Sequence, residues 1–204
     1  MKWIKLFIIF ISVSMAWDYF IFVQVWPESW TNISNNSYFT IHGLWMENLN
    51  GSYPEYCSGS PFNVSELNPI KDQLTTFWTD FKNATEFWKH EYNKHFKCAQ
   101  DTFPNVYKLF YYGLMLRNKY NLYELLKNNG IYPSNTVFYD INKINYVFNT
   151  SVVITCETEN ILTEIWMCMD KQFRPFGCPK NLSASGCKFS KLWYKKFGNN
   201  NVYF

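Results

Sequence analysis

Trp88-Lys89-His90-Glu91-Tyr92-Asn93-Lys94-His95-Phe96-Lys97-Cys98 carries two of the three histidines in a chain of 204 residues. The spacing predicts a helix over residues 85–98. At about 100° per residue, with His90 as zero, Lys94 falls at about 40°, Glu91 at about 100° and His95 at about 140°. Two imidazoles, a carboxylate and an ammonium group therefore share one helical face. Cys98 falls at about 80°, in the middle of that face, where a disulfide would hold the helix toward the body of the protein. Phe96 falls at about 240°, away from the cluster. A zinc site of the H-E-x-x-H kind needs histidines at i and i+4. Here they stand at i and i+5, and the pair Glu91/His95 lacks a third ligand, so neither a metal nor a cofactor is expected. The plain alternative is a surface helix with i, i+4 pairs such as Glu91 with His95.

Moving outward, the third histidine lies in Phe39-Thr40-Ile41-His42-Gly43-Leu44-Trp45, at the end of a short strand expected over residues 38–42. Before it, residues 19–26 form an aromatic and β-branched run stopped by Pro27, which reads as a strand buried on both faces. Helical spacing recurs over residues 68–81, 105–117 and 120–129, the last ended by Gly130. Residues 151–156 and 161–169 alternate as strands, and Asn160 lies in the short turn between them, which makes a hairpin. Turns and short strands fill the remainder. No linker or change of composition divides the chain. The expected architecture is one α+β domain, an antiparallel sheet packed by several helices from the first two thirds.

Composition narrows the class. The chain is 48% hydrophobic and 21% aromatic with only 17% charged residues, which excludes disorder. Beyond the N-terminus no apolar run reaches the length of about 18 residues that a spanning helix needs, which excludes a multi-span membrane protein. Residues 1–16 read as a secretory signal: Lys2 and Lys5 precede an apolar core, and Ser14-Met15-Ala16 supplies the cleavage site. The mature domain is then 17–204, located outside the cell or in an endomembrane lumen, monomeric and not membrane-associated. Without Lys2 and Lys5, 17 basic side chains stand against 16 acidic ones, so the formal charge drops from +3 to +1. A general polyanion-binding surface is not supported by that balance. Cys57, Cys98, Cys156, Cys168, Cys178 and Cys187 all fall in the mature part. With no C-x-x-C pair, an even count after a secretory signal reads as three disulfides, with 15 pairings open. Glycosylation sequons occur at Asn32, Asn35, Asn50, Asn63, Asn83, Asn149 and Asn181, which marks a glycoprotein.

Taken together, the two histidine segments resemble those of the T2-type ribonuclease family. Its active-site segments read approximately F-T-I-H-G-L-W-P and W-x-H-E-W-x-K-H-G-x-C. The first matches Phe39 to Trp45, and the second matches Trp88, His90, Glu91, Lys94, His95 and Cys98. Gln24-Val25-Trp26-Pro27 is similar to the family's first strand, and Leu162 to Cys168 followed by Cys178-Pro179 is similar to its C-terminal hairpin. The details lean toward the plant members, including the S-RNases.

The resemblance implies a metal-free endoribonuclease acting on single-stranded RNA through a 2′,3′-cyclic phosphate. It places His42, His90, Glu91, Lys94 and His95 in the catalytic group, with His95 as base and His42 as acid in the first step. Two imidazoles suit such an exchange of protons near mildly acidic pH. It places Trp45, Glu47 and Tyr53 in the base-binding site, with Glu47 where the family has Asp. It also implies the pairings Cys57–Cys98, Cys156–Cys187 and Cys168–Cys178. Met46 stands where the family has Pro, and Phe96 where it has Gly. A Phe at a position of positive φ, or beside the approaching RNA, would strain or block the site. If residue 96 is helical, its ring points away and activity is retained. The rival expectation is a catalytically weakened glycoprotein on the same scaffold that acts by binding a protein partner.

Overall fold

The computed structural model describes residues 17–27, 38–79 and 83–196. The expected signal segment and the sequons at Asn32 and Asn35 lie outside these residues. The described strands are β1 (Tyr19–Val25), β2 (Thr40–Glu47), β3 (Phe138–Asp140), β4 (Val153–Cys156), β5 (Leu162–Met169) and β6 (Lys191–Trp193). The α-helices are α1 (Lys71–Phe77), α2 (Ala84–Lys94), α3 (Val106–Lys119), α4 (Leu122–Asn128) and α5 (Ile141–Tyr146). The main sheet is antiparallel with the order β2-β1-β5-β4, and β3 pairs with β6 separately.

β1 is buried along its whole length. Phe20 and Phe22 face the large core with Leu44, Met46, Ile165, Met167 and Met169, beneath the helices. Tyr19, Ile21 and Val23 face the other way and pack with Cys168, against Trp45 and Trp166. A strand covered on both sides reads as an unbroken apolar run.

The strand expected to end at His42 runs on, as β2, to Glu47. Phe39 and Ile41 face the core before His42, and Leu44 and Met46 face it after, while Trp45 packs on the opposite face, so the period of two slips by one residue at His42. Val23 pairs with Gly43 and Gln24 with Ile41, which leaves His42 as the extra residue of a β-bulge. Such a bulge redirects a side chain without ending the strand.

The helices depart from expectation at their ends. The stretch expected as one helix over 68–81 begins as a 3-10 helix, Val64–Ile70, with Pro69 inside it, and is α-helical only over α1; residues 80–82 lie outside those described. α2 is capped by Asn83, whose side chain accepts from the Glu86 amide, and it stops at Lys94 rather than Cys98. The Lys94 carbonyl accepts from Tyr56 N at 2.8 Å, and Cys98 N turns to the His95 carbonyl at 3.2 Å. The chain thus tightens into a 3-10 helix, Phe96–Ala99. α4 ends as expected: Gly130, at φ 70°, donates to the Lys127 carbonyl and Ile131 donates to that of Leu126, the paired bonds of a Schellman cap. β3 and α5 carry no legible pattern, being three and six residues long.

Three disulfides join Cys57–Cys98, Cys156–Cys187 and Cys168–Cys178. They are the pairs that the resemblance implies.

Candidate active site

The site stands on the sheet face opposite the large core, where β2, β5 and the end of α2 meet. Gly43 makes the meeting possible. A Cβ on residue 43 would lie 2.6 Å from Trp45 Nε1 and would collide with the Glu91 carboxylate. Without a side chain at 43, Glu91 reaches in from α2. It is 1% exposed, and its Oε2 accepts from Trp45 Nε1 at 3.1 Å. Its Oε1 lies 3.8 Å from His42 Nε2.

His42 is held on its other side as well. Nδ1 lies 2.7 Å from Glu164 Oε1, and Glu164 Oε2 accepts from Trp166 Nε1 at 2.7 Å. The backbone is pinned too, since Trp78 Nε1 donates to the His42 carbonyl at 2.9 Å. The ring of Trp45 touches both histidines: His42 meets it edge to face, with centroids 4.8 Å apart, and His95 stacks on it at 5.5 Å.

Beside Trp45 opens a cavity of about 540 Å³, lined by Glu47, Tyr53, Lys94, His95 and Trp166 among others, with Asn50 and Asn181 also at its wall. Burial shifts the titrating groups here. The His95 imidazole is pushed down to about 3, first by burial and then by the positive charges of Lys94, His42 and His90. The Glu91 carboxyl is pushed up to about 7 by burial, against the opposing pull of His42, the Trp45 hydrogen bond and Lys94. Burial likewise raises Glu47 to about 7. A neutral imidazole, an ammonium group and a neutral or half-ionised carboxyl therefore share the cavity around neutral pH.

The structure brings His42, Trp45, Glu47, Tyr53, Glu91, Lys94 and His95 together. It leaves His90 exposed on α2, outside the cavity lining, so the shared face of the helical wheel is only partly realised. The residue that sequence reasoning missed is Glu164. Its signal was the alternation Glu164, Trp166, Cys168 along β5, which puts all three on the face of Val23 and Val25. Phe96 lies in the 3-10 helix and is fully buried, its ring 5.8 Å from that of Trp78 and 5.4 Å from that of Phe110. Its φ is not positive, and its ring is in the core. Met46 is fully buried as well. Of the described sequons, Asn50, Asn63, Asn83, Asn149 and Asn181 are all exposed.

This fold and this pairing of histidines around a tryptophan define a class. Residues 17–178 match the model of the Ribonuclease T2 family, and the chain belongs to that family. Ribonuclease DdI of Dictyostelium discoideum is 37% identical over 166 residues, covering 76% of this chain and 74% of that protein. Ribonuclease S-7 of Nicotiana alata is 33% identical over 187 residues, covering 80% and 83%. Among solved structures, RNase NT in complex with 5′-AMP superposes with a TM-score of 0.76 at 28% identity, covering 88% of this chain and 98% of that one.

Proposed function

We propose that this protein is a secreted endoribonuclease that cleaves single-stranded RNA without a metal, through a 2′,3′-cyclic phosphate. The observation that carries this reading is the contact of one tryptophan ring with two imidazoles, at 4.8 and 5.5 Å, beside a cavity large enough for a base. Cleavage by transphosphorylation needs an acceptor for the ribose 2′-OH proton and a donor for the 5′-oxygen that leaves.

His95 is the acceptor. Its depressed affinity for protons keeps it an unprotonated imidazole, and the anionic phosphate of bound RNA offsets the neighbouring cations that depress it. His42, beside two carboxylates, is the donor. As the 2′-oxygen bonds to phosphorus, the bond to the 5′-oxygen breaks and that oxygen takes the His42 proton. The roles reverse when water opens the cyclic product. Lys94 supplies positive charge to the crowded phosphorane, His90 adds a hydrogen-bonding imidazole at the margin, and Glu91 fixes Trp45 against His42. Tyr53 and Trp45 offer aromatic faces on which an unpaired base stacks, and Glu47 offers its carboxyl to the base edge.

Secretion is supported by the leader-like residues 1–16, the three disulfides, and sequons that are exposed wherever they are described. Among the described residues no helix is long and apolar enough to cross a membrane. The two departures that favoured a purely partner-binding glycoprotein, Met46 and Phe96, are both buried in the core and neither lines the cavity.

The test is cleavage of single-stranded RNA at about pH 5 to 7 by glycosylated, disulfide-intact protein in EDTA, beside a His95→Ala control. Products ending in 2′,3′-cyclic phosphate, reduced by a factor of about 10²–10⁴ in the control, are expected. Cleavage equal in the two proteins overturns the reading.

A further inference from the structure

The Nδ1 side of His42 faces a group that the motifs do not contain. Glu164 comes from β5, 122 residues away in sequence, and its carboxylate lies 2.7 Å from Nδ1. A carboxylate only accepts, so the imidazole nitrogen opposite it carries a proton. The second oxygen of Glu164 accepts from Trp166 Nε1, also at 2.7 Å. Two N–H donors thus converge on two acceptor oxygens of one side chain, a demand that an ionised carboxylate meets and an amide does not. Glu164 is itself fixed: it is 7% exposed, and its backbone is paired with Val25 and Thr155 in the sheet. His42, by contrast, sits on a bulge, where the strand alone does not set its ring orientation.

We propose that Glu164 is the positioning residue of His42: it fixes the Nδ1–H tautomer and the ring plane, so that proton exchange with RNA runs through Nε2. The inference rests on the ribonuclease reading above and deepens it. In the first step imidazolium His42 gives its Nε2 proton to the leaving 5′-oxygen and keeps its Nδ1 proton, which stays hydrogen-bonded to Glu164. In the second step the Nε2 lone pair takes a proton from the attacking water. No proton passes to Glu164, which balances the imidazolium charge in the way an orienting carboxylate does in other histidine-dependent sites. Among the described residues, charged and titratable groups facing His42 include Glu164 from β5 and Glu91 from α2, with His95 electrostatically coupled to it.

The experiment compares wild type, Glu164→Gln and Glu164→Ala as full-length, disulfide-intact proteins. It reads kcat and KM on a dinucleoside monophosphate across pH, and the ¹⁵N resonances of the histidine rings. Glu164→Ala is expected to lose about 10–100-fold in kcat with KM within twofold. Glu164→Gln, nearly isosteric and so the safer fold, is expected to lose kcat to a lesser extent. In both, the alkaline limb of the kcat profile moves to lower pH, because a negative charge that favours imidazolium His42 is gone. The His42 ring in the variants is expected to leave the pure Nδ1–H form. A kcat within twofold of wild type in both variants, or an unchanged tautomer in Glu164→Gln, overturns the proposal. Should wild type fail to cleave RNA at all, the ribonuclease reading falls, while the ¹⁵N comparison still decides whether Glu164 sets the tautomer.

Discussion

The carboxylate of Glu91 occupies the space above the Cα of Gly43 where a side chain would begin. Three partners meet there, because Trp45 Nε1 would also lie 2.6 Å from that first carbon. Gly43→Ala is therefore expected to push Glu91 out of its hydrogen bond with Trp45 and to cost about 1–3 kcal/mol, the usual range for overpacking. RNA cleavage should fall with it, since Glu91, Trp45 and His42 shift together. Urea unfolding and a cleavage assay on the same preparation check both halves. Stability within about 0.5 kcal/mol of wild type, the spread of an ordinary surface substitution, would show that the pocket relaxes.

Phe96 invites the opposite experiment, restoring the glycine of the family motif. Its ring packs against those of Trp78 and Phe110, which also touch each other. Phe96→Gly is expected to destabilise the fold by at least the roughly 3–5 kcal/mol of a Phe-to-Ala core truncation and to bring no gain in kcat. A more active and equally stable variant would mean that the ring restrains the catalytic segment.

Tyr53 is 55% exposed although it lines the cavity. Exposure of that kind costs little until a base covers the ring. Stacking on an aromatic contributes about 1–3 kcal/mol per base, so Tyr53→Ala should raise KM for a dinucleotide by about 5–150-fold with kcat nearly constant. Tyr53→Phe should stay close to wild type. Steady-state kinetics on the three proteins separates these outcomes.

Glu47 links the site to pH. Its carboxyl titrates near 4.5 in the unfolded chain and near 7 in the folded one, raised by burial. Between those values the folded protein binds the extra proton, so stability falls as pH rises from 4.5 through 7. Glu47→Gln removes that cost. The variant should gain roughly 1–2 kcal/mol over wild type at pH 8, after discounting for the open cavity, and little at pH 4. Thermal melts at the two pH values check the sign.

Much of this site was legible because its parts lie in two short segments whose local order carries the chemistry. His42-Gly43 and Glu91 to His95 need only a strand and a helix in contact. β1 was equally plain, since its seven consecutive buried residues are apolar at every position but Gln24. What was hidden depends on pairing across the chain. The bulge at His42 appears only when Val23 and Gln24 are aligned against β2. Glu164 looked like an ordinary strand residue until β5 docked beside β1. The early end of α2 is set by Tyr56, whose amide takes the Lys94 carbonyl from another segment. His90 shows the converse: a helical wheel gives angles, and only packing decides which part of the arc is covered.

The Cys57–Cys98 bridge encloses 41 residues of sequence separation, and residues 58–61 within that loop are exposed. A protease that cuts there would produce two pieces, one bearing His42 and the other bearing Glu91, Lys94 and His95. The disulfide keeps those pieces in a single molecule, so His42 and His95 stay together after a nick. A subsequent encounter with a reductant would remove that covalent tie and leave the pairing of β1 with β5 to hold the pieces.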